Sequence, residues 1–222
     1  MLDSLLFAPD AVITSEDLVR RQDRLAPSRG FLVWKRCFDL LWVVLLLPVA
    51  VTVGLALLVL NPALNPGSLF FSQTRMGQDC KPFRALKFRT MTTETDVTRG
   101  AFDGLEHHRI TPFGRFLRRT RLDELPQVLN VLAGEMSVIG PRPDFYDHAL
   151  VYVDQVPGYR ERHRMRPGIS GYAQVRHGYI EGLDGVRAKV NADLQYIAHA
   201  SVLADLRITW ATIKVVLHRK GL

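Results

Sequence analysis

Residues 40–60 read LLWVVLLLPVAVTVGLALLVL, twenty-one positions without a single charge. Coiled into a helix at about 1.5 Å per residue, the run is roughly 32 Å long, enough to cross a hydrocarbon core of about 30 Å. The segment therefore belongs in a membrane, and its flanks bear on how it sits there. Pro48, near the middle, lacks a backbone N–H and kinks or breaks a helix, although membrane helices tolerate it. Residues 20–36 hold Arg20, Arg21, Arg24, Arg29, Lys35 and Arg36 against one acid, Asp23, and residues 75–121 hold eleven basic residues against five acids. Short basic flanks stay on the cytoplasmic side. Both flanks are basic, which predicts a re-entrant hairpin broken at Pro48 that leaves by the face it entered. A single crossing with an external basic N-terminus is the alternative. In either case Lys35 and Arg36 are expected to anchor the segment by reaching lipid headgroups.

Composition fits a chain of two unlike parts. The 222 residues carry 29 Lys+Arg against 22 Asp+Glu, a net +7, with a pI near 9.7 and a mean hydropathy of +0.03. The charge excess points to anionic partners, and the neutral hydropathy averages an apolar segment with a densely basic remainder. An apolar content of 47% excludes a disordered chain. Cys37 and Cys80, the only cysteines, suit a reducing compartment and no disulfide scaffold. The opening residues Met1, Leu2, Asp3 and Ser4 lack a basic stretch, so a cleavable signal peptide is not expected.

Three parts are predicted: an N-terminal cytosolic segment (1–33), in which Ser15 looks like a helix cap; the membrane segment (34–62); and a catalytic domain (63–222) lying on the membrane surface. Residues 61–68 (NPALNPGS) predict a turn-rich connector. Strands are expected at 69–71 and 83–88, a loop at 92–106, and helices at 125–133, 144–153, 186–198 and 201–218. The fold class is α+β, mainly helical, with a small amount of strand. In the last helix Val202, Leu206, Trp210, Ile213 and Leu217 form an apolar stripe, fit either for a lipid interface or for a core.

The most pointed local pattern is TRLDELPQ at 120–127. Pro126 is tolerated within a first helical turn, which predicts a helix starting near Asp123. Asp123 and Glu124 would then lie beside unpaired N–H groups, where anions are stabilised. Read structurally, Asp123 is an N-cap and Glu124 a dipole partner. Read chemically, the surroundings matter: Arg115, Arg118, Arg119 and Arg121 lie just upstream, Lys87 and Arg89 sit in KFRTM, and Arg142 sits in GPRP. Arg160, Arg162, Arg164 and Arg166 alternate, which on an extended strand would put them on one face. Arginine forks bind phosphate, and rigid Gly/Pro neighbours make Arg142 and Arg166 the better candidates. A carboxylate among arginines fits phosphoryl transfer through an acyl-phosphate, with arginines and Mg²⁺ offsetting the developing charge.

Six stretches occur in order: KFRTM (87–91), TPFGR (111–115), LDELPQ (122–127), NVLAGEMS (130–137), IGPRP (139–143) and RPGISGYAQV (166–175). Together they resemble the bacterial sugar transferase family, the monotopic phosphoglycosyl transferases, in a short form without extra membrane spans. The resemblance implies transfer of a sugar-1-phosphate from a nucleotide diphosphate sugar to polyprenol (undecaprenyl) phosphate at the cytoplasmic face of the bacterial inner membrane, by an Mg²⁺-dependent two-step reaction. It implies Asp123 as nucleophile, releasing a nucleoside monophosphate, and Glu124 as its partner in metal or proton handling, the pair holding the metal. It implies Arg118, Arg142 and Arg166 as phosphate or nucleotide contacts, supported by Lys87 and Arg89, and a re-entrant helix broken at Pro48. Ser170 and Tyr172 replace the commoner Thr and Trp of the last stretch. The C-terminal run resembles members that start exopolysaccharide repeats, often from UDP-glucose or UDP-galactose with release of UMP. A homo-oligomer stays open. A non-catalytic basic protein on membranes or nucleic acid would use the net charge equally well, but no nucleic-acid motif is present, it leaves LDELPQ unexplained, and no nucleic-acid partner is expected.

Overall fold

The computed structural model describes residues 27–92, 100–104, 106–178 and 182–217. The Ser15 cap lies outside the described residues, as does most of the 92–106 loop. Mainly helical with two small sheets, the described chain begins with helix α1, Arg29–Leu64. Ser28 caps it, its hydroxyl accepting from the Phe31 amide at 3.2 Å.

α1 differs from expectation in two ways. It is one helical run through both Pro48 and Pro62, so the expected break at Pro48 is not seen as an interruption, and the predicted connector at 61–68 is helical as far as Leu64. A proline removes one hydrogen bond from an internal turn, but the apolar residues on either side keep the helix going. The Thr52 hydroxyl donates to the Pro48 carbonyl at 2.9 Å. Asn65 ends the run. Its amide returns to the Asn61 carbonyl at 2.9 Å, and its side chain donates to the Arg89 carbonyl at 2.7 Å.

One stripe of α1 is buried along its whole length: Phe31, Lys35, Phe38, Val43, Ala50, Leu57 and Asn61, spaced as the helical repeat requires. The first turns join the main core with Tyr196 and Ile208. The middle packs on Phe83, Val128 and Val131, and the end on Phe88 and Leu117. Asp39 ties α1 to the domain by accepting from Ser137 Oγ (2.8 Å) and the Val138 amide (2.9 Å). The opposite face exposes Leu41, Val44, Leu55, Leu58 and Val59.

β1 (Phe70–Met76) and β2 (Pro82–Phe88) form an antiparallel hairpin in the register Phe70↔Phe88 to Met76↔Pro82. Helix α2 (Pro112–Arg119) follows, capped by Thr111, and then a 3-10 turn (Leu122–Glu124) and α3 (Gln127–Ala133). β3 (Ser137–Ile139) pairs in parallel with β4 (Gly168–Ser170). That pairing requires glycine: a Cβ at Gly168 would lie 2.2 Å from the Gly140 nitrogen. Between these strands runs α4 (Tyr146–Gln155), and beyond them come α5 (Tyr172–His177), α6 (Gly182–Ala198) and α7 (Val202–Leu217). The sequence reading did not foresee α2, α5 or the parallel pair.

One further expectation is corrected, and one left open is narrowed. Arg160, Arg162, Arg164 and Arg166 do not share the face of a strand, because residues Glu161–Arg164 form a 3-10 turn. Arg162 is drawn inward, fully buried against Asp144 (2.7 Å) and Asp193 (2.8 Å). In α7 it is Ala204, Asp205, Ile208 and Ala211 that pack inward. Val202, Leu206, Trp210 and Leu217 of the apolar stripe face out.

Lys35 is not a headgroup anchor. Its Nζ lies 2.7 Å from Asp205 Oδ2 with both side chains buried, and Tyr196 donates its hydroxyl to the other Asp205 oxygen at 2.6 Å. Lys35→Ala should therefore destabilise the protein by about 3 kcal/mol, because it strands a buried carboxylate. Thermal unfolding in detergent checks this; an unchanged midpoint would return Lys35 to the lipid surface.

Candidate active site

The turn between α2 and α3 is built tightly. Arg121 takes a left-handed conformation, φ +58°, which reverses the chain at the end of α2. Leu122 and Leu125 then pack towards Phe88 and Leu117, and these apolar anchors hold Asp123 and Glu124 between them, each 5% exposed. α3 itself starts at Gln127, behind Pro126. Asp123 is therefore no helix N-cap. The expected helix start is displaced because the 3-10 turn occupies the residues that would have formed its first turn.

Glu124 is the anchor of the site. Lys87 Nζ donates to Oε1 at 2.9 Å, the Arg142 guanidinium grips both oxygens (Nη1 to Oε2 at 3.3 Å), and Arg121 Nη1 lies 3.5 Å from Oε2. Burial alone would raise the pKa of this carboxyl. The charges of Arg142, Lys87 and Arg121 outweigh burial and hold it well below the ordinary value. Lys87 is itself pushed down by burial, against the pull of Glu124.

Asp123 is the opposite case. Its Oδ1 is buried with no hydrogen-bond partner, an uncommon condition for a polar atom. Burial, with a contribution from the charge of Glu124, pushes its pKa up to about 6, against the opposing pull of Lys87, Arg118 and Arg142. Two adjacent carboxyls thus diverge. Glu124 is a locked anion, while Asp123 is an unpaired group poised near neutrality, the division of labour that environment imposes on functional carboxyl pairs.

Of the expected phosphate-binding residues, the structure gathers Lys87, Arg118 and Arg142 around this pair. Arg118, in the last turn of α2, donates from Nε to Thr90 Oγ1 at 2.9 Å, which aims its fork. Arg89 is not among them: its guanidinium donates to the Asn65 carbonyl (2.8 Å) and to that of Pro66, closing the end of α1. Arg166 does not join the cluster either. Its carbonyl lies against Gly140, and it makes no ion pair with Asp123 or Glu124 among the described residues. Arg36, expected at headgroups, donates to the carbonyls of Val131 (2.7 Å) and Leu132 (2.9 Å) at the end of α3. Both Arg36 and Arg89 satisfy open backbone acceptors at helix ends.

Sequence reasoning missed Asn130. Its amide accepts from the Leu86 amide (3.1 Å) and donates to the Arg84 carbonyl (2.8 Å), clamping α3 to β2 so that Lys87 reaches Glu124. The available signal was an asparagine in an otherwise apolar helix, where it must find a partner. Among the described residues no group of three or more His, Cys, Asp or Glu could hold a metal.

The sequence matches the bacterial sugar transferase family over residues 31–219, and the chain belongs to that family. It is 39% identical over 193 residues to a UDP-N-acetylgalactosamine-undecaprenyl-phosphate N-acetylgalactosaminephosphotransferase of Aeromonas hydrophila, covering 87% of this chain and 46% of that protein. It is 41% identical over 192 residues to the exopolysaccharide production protein PSS of Rhizobium leguminosarum bv. phaseoli, covering 82% of this chain and 94% of the relative. It is also 41% identical over 174 residues to a UDP-glucose:undecaprenyl-phosphate glucose-1-phosphate transferase of Escherichia coli (strain K12), covering 72% of this chain and 37% of that one. The chain thus spans less than half of the first and third of these relatives and nearly all of the second.

A carboxyl whose folded pKa is raised favours folding below its unfolded pKa and loses that contribution as pH rises through the folded value. Asp123→Asn should therefore raise stability by roughly 2–3 kcal/mol at pH 8, and by about half as much at pH 5. Unfolding followed at the two pH values checks this. A capping aspartate would give the reverse, a loss on substitution.

Proposed function

We propose that this chain transfers a sugar-1-phosphate from a UDP-hexose to undecaprenyl phosphate, by way of a phosphosugar held covalently on Asp123. The observation that carries the reading is the buried, unpartnered Asp123 oxygen beside a carboxylate locked by three cations. Relatives named for UDP-glucose and UDP-N-acetylgalactosamine transfer to undecaprenyl phosphate support the reaction class, and the Rhizobium relative supports a place in exopolysaccharide production. Glucose or galactose is the sugar we favour.

In the first step an ionised Asp123 oxygen attacks the β-phosphorus of the nucleotide sugar. The bond from that phosphorus to the bridging oxygen breaks, and UMP leaves with the electron pair. Arg118, Arg142 and Lys87 surround Asp123, and their charges offset the negative charge on the phosphoryl oxygens. In the second step an oxygen of the polyprenol phosphate attacks the same phosphorus. The acyl-phosphate bond breaks, Asp123 is regenerated as a carboxylate, and a polyprenyl diphosphate sugar is formed. Lys87 and Arg142 are held by Glu124, so the cationic walls stay in place through both steps without reorganising.

Mg²⁺ fits the residues present in one way. It binds through one or two carboxylates plus substrate phosphates and keeps several waters, and the free Asp123 oxygen offers such a ligand. Glu124, already engaged by three cations, is the neighbouring charge more than a ready ligand. When bound, the ion would neutralise the pyrophosphate.

We propose further that α1 dips into the cytoplasmic face of the inner membrane and returns, with Pro48 as the bend. The support is its packing. A crossing helix leaves its domain behind, whereas one stripe of α1 packs on this domain from Phe31 to Asn61. The exposed apolar residues of α1 and α7 supply a lipid-facing surface, with Lys214 set over the Trp210 ring.

Mixed with a UDP-hexose and Mg²⁺ but no lipid acceptor, the wild-type protein should release up to one UMP per chain, and Asp123→Asn none. The rate should rise with pH through about 6, in step with ionisation of Asp123, and then level. A burst that survives in Asp123→Asn contradicts the assignment. Single cysteines at Gly30 and Ser68, with Cys37 and Cys80 replaced, should both resist a periplasm-restricted maleimide. Labelling of Gly30→Cys alone would instead show a crossing.

A further inference from the structure

A buried charge network lies behind residues 142–144, outside the cluster around Asp123 and Glu124. Arg162 is fully buried, and burying a guanidinium is costly unless each donor finds a partner. Its Nε finds no partner, but it donates at 2.7 Å to two acceptors two residues apart, from Nη2 to the Arg142 carbonyl and from Nη1 to Asp144 Oδ2. Asp193 of α6 braces it from behind at 2.8 Å. The Asp144 carboxylate also accepts from the Tyr159 hydroxyl (2.7 Å) and from Lys189. Two cations and two anions therefore sit together inside the domain, an arrangement that apolar side chains of similar size often match in stability.

The target of this network is the Arg142 segment. Pro141 and Pro143 fix the backbone on either side of Arg142. Gly140 is held by β4 through its amide and the Ser170 carbonyl at 2.9 Å, and the Asp144 carbonyl accepts from the Met76 amide at 3.1 Å. Between those supports, the Arg142 carbonyl takes its bond from Arg162. The Arg142 side chain, at the opposite end of the same residue, grips Glu124.

We infer that Arg162 is a positioning residue, holding the Arg142 backbone so that its guanidinium faces Glu124 and the phosphates, with Asp144 and Asp193 fixing Arg162 in turn. The inference rests on the phosphoryl-transfer reading above. It extends that reading to side chains that touch no reacting atom.

A double-mutant cycle separates positioning from stability. The rate of UMP release in a single turnover and the binding of UDP are measured for wild type, Arg162→Lys, Arg142→Ala and the double variant. Arg162→Lys should slow release by up to about a hundredfold, the cost of displacing a charged contact by an ångström or so, and should weaken UDP. In the Arg142→Ala background the same change should cost no more than about twofold, within ordinary additivity. Equal losses in both backgrounds would overturn the inference, because a general structural role multiplies with Arg142. If Arg162→Lys does not fold, Asp193→Asn, which keeps both Arg162 donors, enters the same cycle with the same two outcomes. No UMP release by wild type would contradict the catalytic reading alone, and the UDP-binding cycle would still decide the inference.

Discussion

Three separate parts of the chain converge on the carboxylate of Glu124: Lys87 from β2, Arg121 from the turn before it, and Arg142 from the segment after β3. Without these partners Glu124 would be an uncompensated buried charge, a state that costs about 3–5 kcal/mol when a buried pair is broken. Because β2, the turn and the GPRP segment all reach this carboxylate, Glu124 helps to fix their relative positions. Asp123, one residue away, is left buried with an unpartnered oxygen beside the charges of Lys87, Arg118 and Arg142. The division between an anchored and an unanchored carboxyl is the structural basis of the proposed chemistry.

Much of this was legible in the sequence, and its failures have physical causes. The apolar run, the presence of two strands near 70 and 85, most of the later helices and the Asp–Glu pair follow from hydrophobic periodicity and local composition; the pairing of the strands as a hairpin does not. The pairing of Glu124 with Lys87 and Arg142 was not legible, because 37 and 18 residues separate the partners and only tertiary packing joins them. Arginines were the main source of error. Arg36 and Arg89 looked like phosphate or headgroup contacts, yet each closes a helix end. Arg162, one of an alternating set, lies in the interior. A guanidinium serves backbone carbonyls, carboxylates and phosphates equally well, so residue type alone does not say which it meets. Asn130 went unnoticed because its role, clamping β2 to α3, exists only in three dimensions.

α1 shows a similar division. Its length and lack of charge predicted a membrane segment, and Pro48 suggested a bend. What sequence could not show is that a heptad-like stripe, Phe31 to Asn61, is used for packing on the domain along the entire helix. The buried pair of Lys35 with Asp205 and the hydrogen bonds from Asp39 belong to that packing. The exposed apolar side and the domain-facing side of α1 are therefore two faces of one helix, and on the proposed membrane placement this would bring a polar site close to the lipid surface.

The central claim is a covalent phosphosugar on Asp123. The most direct measurement is mass spectrometry of protein quenched in acid after mixing with a UDP-hexose and Mg²⁺ without acceptor lipid, followed by peptide mapping. The account predicts a hexose-phosphate adduct confined to the peptide containing Asp123, lost on treatment with hydroxylamine or on addition of undecaprenyl phosphate. An adduct on another residue, or UMP release with an unmodified protein, would contradict it.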